Sequence, residues 1–185
     1  MKNIFETDPE SHYRFSWNFK VSVNVSWRQF AQEKFVQDVC DILEEEYFSA
    51  SNLILELTEH CQALDEQILK WHIAEFHKYG VGISADDFGS GYSSLNMLKD
   101  IKMDTIKLDM GFLRKTRNNE RSMSIVSNVI HLSKRLGMEV VTEGVETREQ
   151  VDALTMMGCD VFQGYYFAKP MSVWDYEDKY ISTEG

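Results

Sequence analysis

Residues 81–95 read VGISADDFGSGYSSL. The first five, 81–85, are small or apolar and suit a strand buried on both faces. Asp86 and Asp87 then set two carboxylates side by side, and a glycine-rich loop follows, with a short helix predicted to about Lys99. A buried strand that ends in acid and runs into a loop is the element from which the rest of the chain can be read.

The same unit recurs on either side. Strands are predicted at residues 20–26 (KVSVNVS), 53–57, 105–108, 139–142 and 160–162. Between them, apolar residues at helical spacing predict helices over residues 28–45, 65–78, 122–136 and 147–157, with a final helix at 173–180. Gly80, Gly137 and Gly158 fall where three of these helices should stop. Six strands alternating with helices imply a parallel sheet covered by helices. Two architectures compete: an open doubly wound sheet and a TIM-like (β/α) barrel.

The polar residues that interrupt the strands separate the two. In order they are Asn24, Glu56, Asp86 with Asp87, Lys107, Glu143 and Gln163, each at or near the C-terminal end of its strand. Any one of them has a plain structural explanation, as a satisfied core group or a helix cap. Six strands in succession do not. An open sheet gathers its functional groups from the two or three strands at its switch point, whereas a barrel gathers them from the C-terminal ends of all its strands. The barrel is therefore expected, with the loops after these strands lining one mouth.

Charge and composition narrow the chemistry. The net charge of −11 disfavours a grip on polymeric nucleic acid through its phosphates. No apolar run approaches a bilayer span, and the polar residues 1–10 have no signal-peptide core. Cys40, Cys61 and Cys159 are an odd number without CxxC spacing, which argues against a disulfide framework and a cysteine zinc site. A cytoplasmic protein without membrane insertion is the natural expectation. Its two prolines, Pro9 and Pro170, lie near the ends and mark no internal linker, so one domain is expected.

Four carboxylates at one mouth (Glu56, Asp86, Asp87, Glu143) would repel each other without cations. Oxygen ligands with no Cys or His cluster select Mg²⁺ or Mn²⁺. Asn24 adds a neutral amide oxygen. Adjacent aspartates suit a metal pair, which can activate water and stabilise a leaving oxygen in phosphoester hydrolysis. Lys107 is the lone cation of the set, placed to orient the attacking water or to offset phosphate charge. The Asp-Phe-Gly triplet at 87–89 also occurs in kinases, but the chain has no glycine-rich phosphate loop with a β3 lysine and no His-Arg-Asp segment. The histidines show no metal spacing, and His72, His77 and His131 read as helix-surface or half-buried groups. Met156-Met157 and Tyr165-Tyr166 read as core, and Glu44 to Glu46 as a solvated helix end.

The stretches VSVNVS (21–26), LILELTE (53–59), ADDFGSGYSSL (85–95), IKMDTIKLDMGFL (101–113), VVTEGVET (140–147) and FQGYYFAKPMS (162–172) together resemble the EAL domain family of cyclic di-GMP phosphodiesterases. The resemblance covers almost the whole chain. It implies a TIM-like barrel that opens one phosphodiester of cyclic di-GMP to give linear pGpG. It places Asn24, Glu56 and Asp86 on the first metal, with Asp86 also serving the second metal beside Asp87. It gives Glu143 to the second metal through water, Lys107 to the nucleophilic water, and Gln163 to that water or the substrate. Glu59 matches the glutamate that steadies the loop after Asp-Asp-Phe-Gly. That loop, 88–95, is the family's regulatory and dimerisation element, so a homodimer through it is implied.

Two departures shape the expectations. Ala85 and His60 replace residues more usual beside those motifs, which implies tuning. The larger one is at the start: only about 20 residues precede Val21, and none reads Glu-Ala-Leu. Residues 1–20 are therefore expected to be a lead-in, 21–180 a partial, N-terminally truncated EAL domain, and 181–185 a tail. Six β/α units make an incomplete barrel, since a full one takes about 250 residues. A fragment of a longer protein, a misassigned start and a natural truncation all fit. Hydrolysis of cyclic di-GMP is expected to be impaired in such a chain. The alternatives are an inactive module that binds cyclic di-GMP and a protein-interaction module.

Overall fold

A computed structural model of the 185-residue chain describes residues 19–58, 65–88, 101–109 and 120–181. The chain forms two compact units, Met1–Lys107 and Leu108–Gly185.

In the first unit, strands β1 (Val21–Val25), β2 (Leu53–Leu57), β3 (Gly82–Phe88) and β4 (Thr105–Leu108, whose last residue opens the second unit) lie side by side in chain order. β1 pairs parallel to β2 and β2 parallel to β3. The order shows no reversal and so no switch point, which is the winding of a barrel and not of a doubly wound sheet. Helices α1 (Trp27–Phe30), α2 (Phe35–Glu45) and α3 (Glu66–Tyr79) make the crossovers. Ser26 and Gln29 form a capping box at the start of α1, and the Asp65 carboxylate accepts from the N–H groups of Gln67 and Ile68 at the start of α3. Gly80, at φ 89°, ends α3 in a left-handed turn that other residues enter only at a cost.

One continuous helix over 28–45 does not form. The chain breaks between Phe30 and Phe35, and the reason is packing. On an unbroken helix two residues five apart point about 140° away from each other. With the break, both rings reach the same partner: Phe76 lies 6.0 Å from Phe30 and 5.7 Å from Phe35. Phe30 and Phe76 are fully buried, and with Leu57, Leu69 and Ile83 they form the core under the sheet. His72, expected at or near a helix surface, is buried in this core. Its ring nitrogens lie 2.9 Å from the Ile68 carbonyl oxygen and 3.2 Å from that of Gln32, which ties α3 to the break.

The second unit holds α4 (Glu120–Arg135), β5 (Glu139–Thr142), α5 (Arg148–Met156), β6 (Val161–Phe162) and α6 (Val173–Tyr176), the last continuing into a π turn at Glu177–Ile181. β5 and β6 are parallel, with Val141 opposite Val161 and Thr142 opposite Phe162. Val126, Ile130, Val140, Val145 and Leu154 are buried. Among the described residues there are six strands, and no helix is long and apolar enough to cross a membrane. The fold class is α/β, an incomplete TIM-like (β/α) barrel.

Phe76→Ala should remove the ring that joins the two halves of the broken helix. The expected loss is about 3–5 kcal/mol, read as a lowered urea midpoint.

Candidate metal centre

Parallel pairing puts in-register residues on the same face of the sheet. Asn24 is opposite Glu56, and Glu56 is opposite Ser84. Asp86 lies two residues beyond Ser84 and so on the same face again. The first four strands thus carry a polar row near their C-terminal ends, completed by Lys107 on β4. Glu56, Ser84 and Lys107 are buried, while Asn24 at the outer strand is exposed.

Lys107 organises this row. Its Nζ donates to Glu56 Oε2 at 2.8 Å and lies 3.3 Å from Asp86 Oδ1. All three side chains are nearly out of water, at 10%, 6% and 13% exposure. One ammonium faces two carboxylates, so the pocket keeps an excess of negative charge where water screens it poorly.

Strand alternation alone would send Asp86 and Asp87 to opposite faces. Asp87 breaks the alternation with a φ of 54°, a left-handed conformation that aspartate tolerates better than most side chains. The two residues offer carboxylate oxygens within 4.8 Å of one another. Holding Asp87 there costs on the order of 1 kcal/mol or more, a strain typical of functional positions.

Do these groups suit a cation? Asp86 Oδ1 is buried and has no hydrogen-bond partner despite its proximity to Lys107. A buried carboxylate oxygen with an unused lone pair, beside a second carboxylate and a surplus of negative charge, fits a hard divalent cation. A thiolate site does not fit: burial pushes the Cys40 and Cys159 thiols above their ordinary range, and each is a free, buried cysteine.

In the second unit, Glu143 directly follows β5 and Gln163 directly follows β6. The two loops clasp each other. The Gln163 N–H donates to the Thr142 carbonyl oxygen at 2.8 Å, the Val145 N–H to that of Gln163 at 3.1 Å, and the Tyr166 N–H to that of Val145 at 3.0 Å. Gly164 permits the clasp. A Cβ there would sit 2.1 Å from the Val145 carbonyl oxygen and 2.3 Å from its nitrogen. Gly164→Ala should therefore force the loops apart, with a stability loss of at least about 1 kcal/mol by thermal melting.

Asn24, Glu56, Asp86, Asp87 and Lys107 are thus brought to one end of the first unit, and Glu143 and Gln163 to the corresponding strand ends of the second. Glu59 lies outside the described residues, as does the 88–95 loop beyond Phe88. The residue that the strand pattern did not single out is Ser84. Its signal was present, since it alternates with Asp86 along β3, but a serine in a strand is too common to stand out.

The model of the EAL domain family matches residues 10–170. The Pseudomonas aeruginosa bifunctional diguanylate cyclase/cyclic di-GMP phosphodiesterase MucR is 38% identical over 155 residues, which cover 84% of this chain and 22% of MucR. The structure of the EAL enzyme Bd1971 with cAMP and cyclic di-GMP bound superposes with a TM-score of 0.82 at 33% identity, over 86% of this chain and 42% of that one. Klebsiella pneumoniae BlrP1, in its manganese/cyclic di-GMP complex, superposes with a TM-score of 0.75 at 28% identity, over 82% and 39%. The chain spans 22% to 38% of the length of the curated relatives it matches. With motifs, strand order and the acidic row in agreement, the chain belongs to the EAL domain family.

Proposed function

We propose that this chain carries a phosphodiesterase site that hydrolyses cyclic di-GMP to linear pGpG with two divalent cations, Mg²⁺ or Mn²⁺. The observation that carries the reading is the buried row of Glu56, Lys107 and Asp86, in which Asp86 Oδ1 accepts no hydrogen bond. MucR bears the phosphodiesterase name, and BlrP1 holds manganese with cyclic di-GMP, which supports the same chemistry here.

Asn24, Glu56 and Asp86 would hold one cation, and Asp86 with Asp87 the other. The role of Glu143 beside the second cation rests on the sequence motif VVTEGVET. Bound cations of this kind lower the pKa of water and offset charge on the phosphoryl oxygens. The chain's own groups do the positioning. Lys107 is pinned by Glu56 and Asp86, so its positive charge is already in place for the attacking water and needs no reorganisation. Gln163, its backbone clasped between the loops, presents an amide to that water or to the substrate. Glu59 steadies the loop at 88–95, through which two copies would associate. The catalytic unit spans residues 21–180 and works in the cytoplasm.

Purified chain with Mn²⁺ should convert cyclic di-GMP to pGpG by chromatography, more slowly than a chain extended upstream to include Glu-Ala-Leu, and excess EDTA should stop it. Asp87→Asn should lower turnover by about 10²-fold or more; wild-type rates from this variant would refute the two-metal assignment. No turnover by the unaltered chain, with cyclic di-GMP still bound in calorimetry, would favour the binding module.

Lys107→Ala separates positioning from metal binding. It should cost about 10²-fold in turnover, while Mn²⁺ affinity by calorimetry stays level or rises, because the variant lacks a cation that competes for Glu56 and Asp86. A parallel loss of affinity and turnover would instead mean that Lys107 only holds the pocket together.

A further inference from the structure

Among the described residues, two buried side-chain polar atoms have no hydrogen-bond partner: Asp86 Oδ1 and Ser84 Oγ. They are two residues apart on the same face of β3, and Ser84 lies in register with Glu56. Ser84 is only 1% exposed, so bulk water does not reach its hydroxyl. A buried hydroxyl without a partner costs roughly 1–3 kcal/mol, and alanine would fill the same place on the strand without that cost. An expense of this kind, beside a strained Asp87 and an Asp86 oxygen that has an ion pair but no hydrogen bond, calls for a state in which the hydroxyl is used.

We propose that Ser84 is a positioning residue of the cation site, whose hydroxyl donates to the acidic row of Glu56 and Asp86 when a divalent cation is bound. Glu56 Oε2 accepts from Lys107, so the donor that the row has is a charged one. A divalent cation adds positive charge beside the Lys107 ammonium and repels it. The row then needs a neutral donor to keep its carboxylates aimed. Ser84 is the neutral hydroxyl next to them, and hydrogen bonds to ligating carboxylates are the usual means of orienting them. This rests on the proposed metal site, and it goes further by naming a side chain that supports the ligands without touching the substrate.

The test reads binding and stability, not activity. Ser84→Ala in the full chain should melt at the same temperature as the unaltered protein or higher when both are stripped with EDTA, because an unsatisfied hydroxyl is removed. Its affinity for Mn²⁺, by calorimetry with MnCl₂ alone, should fall about 10-fold, and the Mn²⁺-induced rise in melting temperature should shrink with it. A lower melting temperature without metal, together with unchanged Mn²⁺ affinity, would make Ser84 an ordinary structural hydroxyl and overturn the proposal. Should the unaltered chain bind no Mn²⁺, the metal site and the role of Ser84 fall together. Should the unaltered chain and the variant bind it equally, only the role of Ser84 falls.

Discussion

A single lysine ammonium placed between two nearly buried carboxylates sets the terms for everything around it. Lys107 could not be buried alone, nor could Glu56. Together with Asp86 they can be, but only if three strands bring them into reach at 2.8 and 3.3 Å. The parallel register of β1 to β3 does this by lining up Asn24, Glu56 and Ser84, and β4 supplies the lysine. The helices and the aromatic core of Phe30, Phe35 and Phe76 then hold those strands in place. The charge remains unbalanced toward the negative, which is the imbalance that the proposed cations would offset.

Stability has been given up at this end of the sheet. Asp87 sits at a positive φ, and Asp86 Oδ1 and Ser84 Oγ are buried without a hydrogen-bond partner. Among the described residues, the aromatic core of Phe30, Phe35 and Phe76 carries no such cost, and each of these rings packs against the other two. The contrast follows a general division: a scaffold is optimised for burial, and a site for the groups it must present. The proposed function also accounts for an acidic chain that takes an anionic ligand. Carboxylates repel phosphate directly, but they collect the cations through which phosphate is held.

Much of the layout was legible in the sequence. The alternation of strands and helices could be read from periodicity, and the ends of three helices from Gly80, Gly137 and Gly158, all of which have left-handed φ. The polar row was legible for the same reason the strands were. Polar residues are expensive in buried parallel strands, so Asn24, Glu56, Asp86 and Lys107 stood out against their neighbours. Less visible were features that depend on two distant residues. The break after Phe30 is set by a ring 46 positions later in the chain, and the burial of His72 by the carbonyl of Gln32.

The sequence by itself determined which residues would stand at the strand ends and, through long matching motifs, the family to which the chain belongs. Those follow from local pattern, which the chain carries along its length. Only the tertiary structure decided how they meet: that strands β1 to β4 run in unreversed order, that Lys107 bridges Glu56 and Asp86, that Asp87 turns back to join its neighbour, and that the Ser84 hydroxyl is left without a partner. Register, burial and backbone twist are properties of strands laid against one another. No single strand contains them.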